Sequence, residues 1–151
     1  LERGHKVAAT ARKPEDLDEP VAAYGDAVLP VKLDIDSRAD SFAAVKKAYD
    51  HFGRIDVLIN NAGFAVFGAI EETSEELARA QIETNFFGLL WVTQAVLAIF
   101  RAQKSGYIIQ VSSTLGLASL PVLGLYNASR YAVNGLSETL ATEVKLFWAS
   151  M

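Results

Sequence analysis

Four short apolar runs, each closing on a polar or glycine-bearing exit, constrain this chain more than anything else in it. They are KVAATA (6–11), AVLPVKL (27–33), DVLIN (56–60) and YIIQV (107–111). Each has the length of a strand, and stretches with helical spacing lie between them. That alternation predicts an α/β fold: a parallel, doubly wound sheet with helices on both faces. Pro30 lacks an N–H for a second neighbour, so its strand belongs at the sheet edge.

Helix signals fall in the gaps. Ser37 with Asp40 forms a capping pair ahead of Phe42, Val45, Tyr49 and Phe52, and Gly53 closes that helix. Thr73 with Glu76 reads as a capping box for a long helical region ending near Gln103. The last helix begins near Leu125. LERG, at the start, resembles a final helical turn with Gly4 in the position that tolerates positive φ. No repeat or linker divides the chain, so residues 1–151 read as a single domain.

Several function classes recede at once. The net charge is −4 and charged residues are sparse, which gives no electrostatic reason for a nucleic acid or an anionic membrane as partner. There is no cysteine, hence no disulfide frame and no thiolate site. His5 and His51 stand apart without acidic partners at metal-ligand spacing. The most apolar stretch, Phe86–Phe100, is shorter than the ~20 residues a bilayer span needs and reads as a core helix. Without a secretory leader, the expected address is cytoplasmic.

In open α/β sheets ligands bind beyond the carboxyl ends of the strands. ATARK (9–13), Asp34, NNAG (60–63) and VSS (111–113) all fall at such ends. The first of these bears on cofactor choice. NAD-binding folds place a carboxylate at the corresponding strand end to hold a ribose 2′-hydroxyl, whereas an arginine there accommodates a 2′-phosphate. This strand ends Thr10-Ala11-Arg12-Lys13, with no acid before Glu15, so in a dinucleotide-binding fold NADP(H) would be the expected cofactor.

The ordered set of LDID with Asp34, NNAG (60–63), Asn85 in ETNFFG, Ser113 in IIQVSS and Tyr126 in YNASR resembles the short-chain dehydrogenase/reductase family. Ser113 precedes Tyr126 by thirteen positions, the family's spacing. The resemblance implies an enzyme that moves a hydride between a nicotinamide cofactor and a carbonyl or alcohol. Tyr126 would be the general acid/base, Ser113 would hold the substrate oxygen, and Asn85 would keep a water in the proton relay. It further implies that Asp34 and Ile35 approach the adenine, and that Asn61, Ala62 and Gly63 lie against the adenosine ribose. Asn60 reads as structural.

Tyr126 and Arg130 are four residues apart and share a helix face. A free tyrosine has a pKa of about 10, and a neighbouring cation favours the phenolate. The family uses a lysine at this position, which also bonds the nicotinamide ribose. Arg130 keeps the charge but brings a planar fork in place of a compact ammonium. The expectation is reduced turnover.

The resemblance runs from the family's second strand to its sixth main helix. The family's TGxxxGxG strand, loop and helix, and its C-terminal substrate region, have no counterpart here, so a partial reductase chain is expected. Without that first strand, KVAATA and DVLIN would each lack a ladder partner. A homo-oligomer is expected of the full-length form, and the apolar loop TLGLASLPVLGL (114–125) points to a hydrophobic carbonyl or alcohol substrate. The alternative is a non-catalytic chain that binds or pairs with a full-length relative through its long central helix and the Tyr126 helix.

Overall fold

The computed structural model describes residues 1–149; Ser150 and Met151, the end of the expected domain, lie outside the described residues. Strands β1 (Val7–Ala11), β2 (Val28–Lys32), β3 (Val57–Asn60) and β4 (Tyr107–Gln110) alternate with helices. These are α1 (Asp18–Tyr24), α2 (Arg38–Phe52), α3 (Glu75–Ile82), α4 (Leu89–Gln103) and α5 (Gly124–Ala149). All four apolar runs are strands, and every pairing is parallel.

β1 pairs with β2 in the register Val7 to Val28 through Ala11 to Lys32, and β3 with β4 from Val57–Tyr107 to Asn60–Gln110. Each of β1 and β3 therefore has one unpaired edge, and β2, which carries Pro30, is an edge strand as expected. One core joins the two pairs. Val31 and Leu33 from the first pair meet Ala44 and Val45 of α2 and Val92, Ala95, Val96 and Phe100 of α4, with Leu58 and Ile108 of the second pair packed against them.

The strands differ from the fully buried reading. Leu58 and Ile108 face the core, but Val57, Ile59, Tyr107 and Ile109 are exposed, at 49, 60, 74 and 45 %. Alternate residues of a strand point to opposite faces, so α4 covers one face of β3–β4 and the other carries an open apolar surface.

α2 is capped as the sequence predicts: the Ser37 hydroxyl accepts from the Asp40 N–H, and Gly53 sits at φ 74°. Its buried stripe is Ser41, Ala44, Val45 and Ala48, while Phe42 and Tyr49 are exposed. Small side chains let α2 approach α4 closely and leave the rings at the rim, where the Arg38 guanidinium lies 4.4 Å over Phe42. The predicted box at Thr73 is displaced by one residue. Ser74 caps α3 by accepting from the Leu77 N–H, and the Thr73 hydroxyl donates instead to the Ala69 carbonyl. α1 is announced by no apolar spacing; seven residues with Pro20 in the first turn leave too little periodicity to read.

The long helical region runs continuously from Glu75 to Gln103, with a π turn at Glu83–Gly88 between α3 and α4. By length and composition alone this run could cross a membrane. Its α4 portion buries Val92, Ala95, Val96 and Phe100 in the shared core.

Candidate active site

Parallel pairing puts the exits of β1 and β2 together and those of β3 and β4 together. Asn60 fastens the second pair to α4. Its Nδ2 donates to Thr93 Oγ1 at 2.9 Å and to Gln110 Oε1 at 2.8 Å, while Thr93 Oγ1 donates to the Leu89 carbonyl at 2.7 Å. Asn60 is thus structural, and the chain turns outward into Asn61, Ala62 and Gly63, all exposed.

Asn85 lies within the π turn and is fully buried. Such turns insert one residue into a helix and are frequent at functional sites. Its Oδ1 accepts from the Phe64 N–H at 2.9 Å; its Nδ2 donates to the Phe64 carbonyl at 2.8 Å and to Ser129 Oγ at 3.1 Å. Ser129 Oγ in turn donates to the Tyr126 carbonyl at 2.8 Å. Both amide hydrogens of Asn85 are committed, so its side chain joins the β3 exit to the start of α5. Gln81, one turn earlier and also fully buried, supports the same loop through the Val66 N–H and the Phe64 carbonyl. Sequence reasoning passed over Gln81 and Ser129; their signal is a polar residue three or four positions from a site residue on one helix face.

Tyr126 and Arg130 lie one turn apart on α5, as predicted. The Arg130 side chain is 5 % exposed, and its guanidinium carbon stands 4.9 Å over the Tyr126 ring centre. Nη1 donates to the Val111 carbonyl at the β4 exit at 3.1 Å. Nε is buried with no protein partner. Gly63 closes the other side: a Cβ there would be 2.6 Å from Arg130 Nη2 and 2.9 Å from Asn85 Oδ1. Gly63, Asn85, Tyr126 and Arg130 therefore form one cluster.

Ser113 adjoins that cluster two residues beyond Val111. Its hydroxyl accepts from the Leu115 N–H at 3.2 Å. The turn it opens docks on α5, where Asn134 Nδ2 donates to the Gly116 carbonyl at 3.0 Å. No direct bond links Ser113 to Tyr126 among the described residues.

Asp34, Ile35 and Arg12 lie at the β1–β2 end. Asp34 Oδ1 accepts from the Asp36 N–H at 3.2 Å, Ile35 packs against the core, and Arg12 is exposed immediately after β1. At the opposite end of β3, Arg54 donates through Nε to Asp56 Oδ1 at 2.9 Å. That bond, and the carboxylate's charge, push the exposed guanidinium above the ordinary arginine range, away from the site.

Beside the site a cavity of about 610 Å³ opens between Ile70, Leu120, Pro121, Gly124 and Tyr131. The apolar loop supplies much of its wall, and the cavity includes neither Ser113 nor Tyr126.

The family model for short chain dehydrogenases matches residues 1–147. The chain belongs to that family. Among its relatives, oxidoreductase BOA17 of Botryotinia fuckeliana is 46 % identical over 97 % of this chain and 54 % of its own length. The 3-ketodihydrosphingosine reductase of Bacteroides thetaiotaomicron is 42 % identical over 97 % of this chain and 52 % of its own. The chain thus spans about half the length of the curated relatives it matches. The crystal structure of a short-chain dehydrogenase from Streptomyces avermitilis superposes with a TM-score of 0.93 at 38 % identity, covering 97 % of this chain and 55 % of that one. Solved short-chain dehydrogenases carry either dinucleotide. ElxO with NADP bound has a TM-score of 0.91 at 27 % identity, covering 97 % of this chain and 60 % of that one. A Burkholderia phymatum enzyme in complex with NAD has 0.87 at 29 %, covering 91 % and 50 %.

Proposed function

We propose that this chain is the central part of an NADP(H)-dependent reductase acting on a hydrophobic ketone or its alcohol. The observation that carries the reading is the Tyr126–Arg130 pair: a half-buried phenol under a buried cation whose Nε has no protein partner. A buried donor left without an acceptor costs about 1–3 kcal/mol, and a ribose hydroxyl would satisfy it. Arg12, exposed at the β1 exit, fits a 2′-phosphate. Asp34, Ile35 and Asn61 to Gly63 would hold the adenosine half.

When bound, the nicotinamide supplies the hydride. A carbonyl oxygen that gains negative charge needs a proton and a donor. Tyr126 gives its phenolic proton to that oxygen, and the Ser113 hydroxyl hydrogen-bonds the same oxygen and fixes its direction. Arg130 lies over the ring of the phenol that gives up this proton. Asn85 has spent its amide hydrogens on Phe64 and Ser129, so its side chain contributes by joining the β3 exit to α5.

The relative named a 3-ketodihydrosphingosine reductase supports a ketone by its name, and the apolar 114–125 loop supports a hydrophobic one. The test is oxidation of NADPH against aliphatic ketones and polar sugars, with Tyr126→Phe beside the wild type. Ketone-dependent turnover that the variant lacks is expected; preference for sugars would overturn the substrate class. The unpaired edges of β1 and β3 and the open β3–β4 face favour a second reading, in which the chain pairs with another polypeptide. Absence of NADPH turnover, with a mass in solution above that of one chain, would favour it. A homo-oligomer remains part of the reductase proposal.

A further inference from the structure

The π turn that carries Asn85 also makes a second set of contacts, to the exit of β2. Thr84 Oγ1 donates to Asp36 Oδ1 at 2.7 Å, across 48 positions of sequence. The Asp36 N–H donates to Asp34 Oδ1, and the Asp34 carbonyl accepts from the Ser37 N–H at 3.1 Å. Four residues beyond Thr84, Gly88 is buried against Ile35. A Cβ there would be 2.7 Å from Ile35 Cγ1 and 2.9 Å from the Ile35 carbonyl oxygen.

Residues four apart share a helix face. Thr84 and Gly88 thus grip the β2 exit together, while Asn85, turned about a quarter-circle away, grips the β3 exit through Phe64. One turn of helix sets the spacing between two loops that belong to separate strand pairs. Among the described residues β1 and β3 are not paired with each other, so this turn is a direct tie between the two pairs.

We infer that Thr84 is a positioning residue for the adenine half of the dinucleotide, acting through Asp36 on Asp34 and Ile35. The inference rests on the reductase reading, which puts the adenine at that exit. Its hydroxyl holds the loop in register with the Asn85 side of the turn, and with it the Tyr126 end of the site.

The experiment measures binding of two probes by the protein as its source makes it: adenosine 2′,5′-bisphosphate and nicotinamide mononucleotide. Thr84→Val removes the hydroxyl at nearly constant shape, and Thr84→Ser keeps it. Thr84→Val is expected to weaken the adenine probe by about three- to tenfold, as loss of one ordinary solvent-exposed hydrogen bond implies, and to leave the nicotinamide probe within about twofold. Thr84→Ser should restore the adenine probe. Unchanged binding of the adenine probe in Thr84→Val overturns the inference, and so does equal weakening of both probes, which marks general loosening. If the wild type binds neither probe, the reductase reading falls and the positioning role falls with it. If the wild type binds and Thr84→Val matches it, the positioning role alone falls.

Discussion

Gly63 and Arg130 occupy one space: a single methyl group on Gly63 would lie 2.6 Å from Nη2 of the arginine. Gly63 is an open-loop residue with no positive φ among its constraints, so what requires glycine there is the approach of this side chain and of Asn85. Gly63→Ala is expected to cost about 1–3 kcal/mol in unfolding stability, the usual range for overpacking. In an Arg130→Lys background the ammonium leaves part of that space, and the cost should fall by about 1 kcal/mol. Urea unfolding of the two single variants and the double variant measures the coupling. Additive costs would mean that Asn85 Oδ1 alone sets the limit.

Arg130 itself lies over the face of Tyr126 and holds the Val111 carbonyl. A lysine would present a compact charge with freely rotating donors in place of a stacked plane. Arg130→Lys is expected to raise NADPH-dependent turnover by about tenfold, equivalent to ~1.4 kcal/mol of barrier. Steady-state rates at saturating cofactor check it; equal rates would remove the argument that arginine impairs this site.

The strands and the site motifs were legible because each rests on local chemistry: apolar runs of strand length, Ser37 over Asp40, Gly53 at a positive φ. Tyr126 and Arg130 were legible as a pair because helix spacing alone makes them neighbours. What the sequence hid depends on contacts distant along the chain. The π turn has no composition of its own and declares itself through the bonds of Asn85 to residues 21 and 44 positions away. The open face of β3–β4 was hidden for the converse reason: Val57, Ile59 and Ile109 are as apolar as the half-buried, core-facing Leu58 and Ile108 beside them. Capping at Ser74 rather than Thr73 is a one-residue choice between chemically similar hydroxyls, decided by Thr73 bonding the Ala69 carbonyl.

Thr93 is the hub of the buried polar link between the second strand pair and α4. Its Oγ1 accepts from Asn60 Nδ2 and from Gln110 Nε2 at 3.2 Å while donating to Leu89. Thr93→Val keeps the shape and takes an acceptor from the buried Asn60 amide and the half-buried Gln110 amide, at a cost of about 1–3 kcal/mol. Thr93→Ser keeps the hydroxyl and should cost less. Urea midpoints rank the two variants, and a valine variant as stable as the serine one would show that the amides find other partners.

Val122 has φ 60°, a conformation that a β-branched residue rarely adopts. It is 55 % exposed, so no core packing explains valine there. The conformation is imposed from both sides: the Gly68 N–H donates to the Val122 carbonyl at 2.9 Å, and Gly68 bridges in parallel to Leu123. These bonds tie the loop after Ser113 to the segment before α3. Glycine accepts positive φ without a Cβ penalty, though it gains freedom in the unfolded chain. Strain of about 1–3 kcal/mol outweighs that entropy of about 1 kcal/mol. Val122→Gly is therefore expected to raise the unfolding free energy by up to about 2 kcal/mol, where Val122→Ala, which keeps a Cβ, gains little. Thermal midpoints of the three proteins decide it. A glycine variant less stable than the wild type would mean that the loop relaxes its strain elsewhere, and that the Gly68 bridge, not the backbone of Val122, governs its shape.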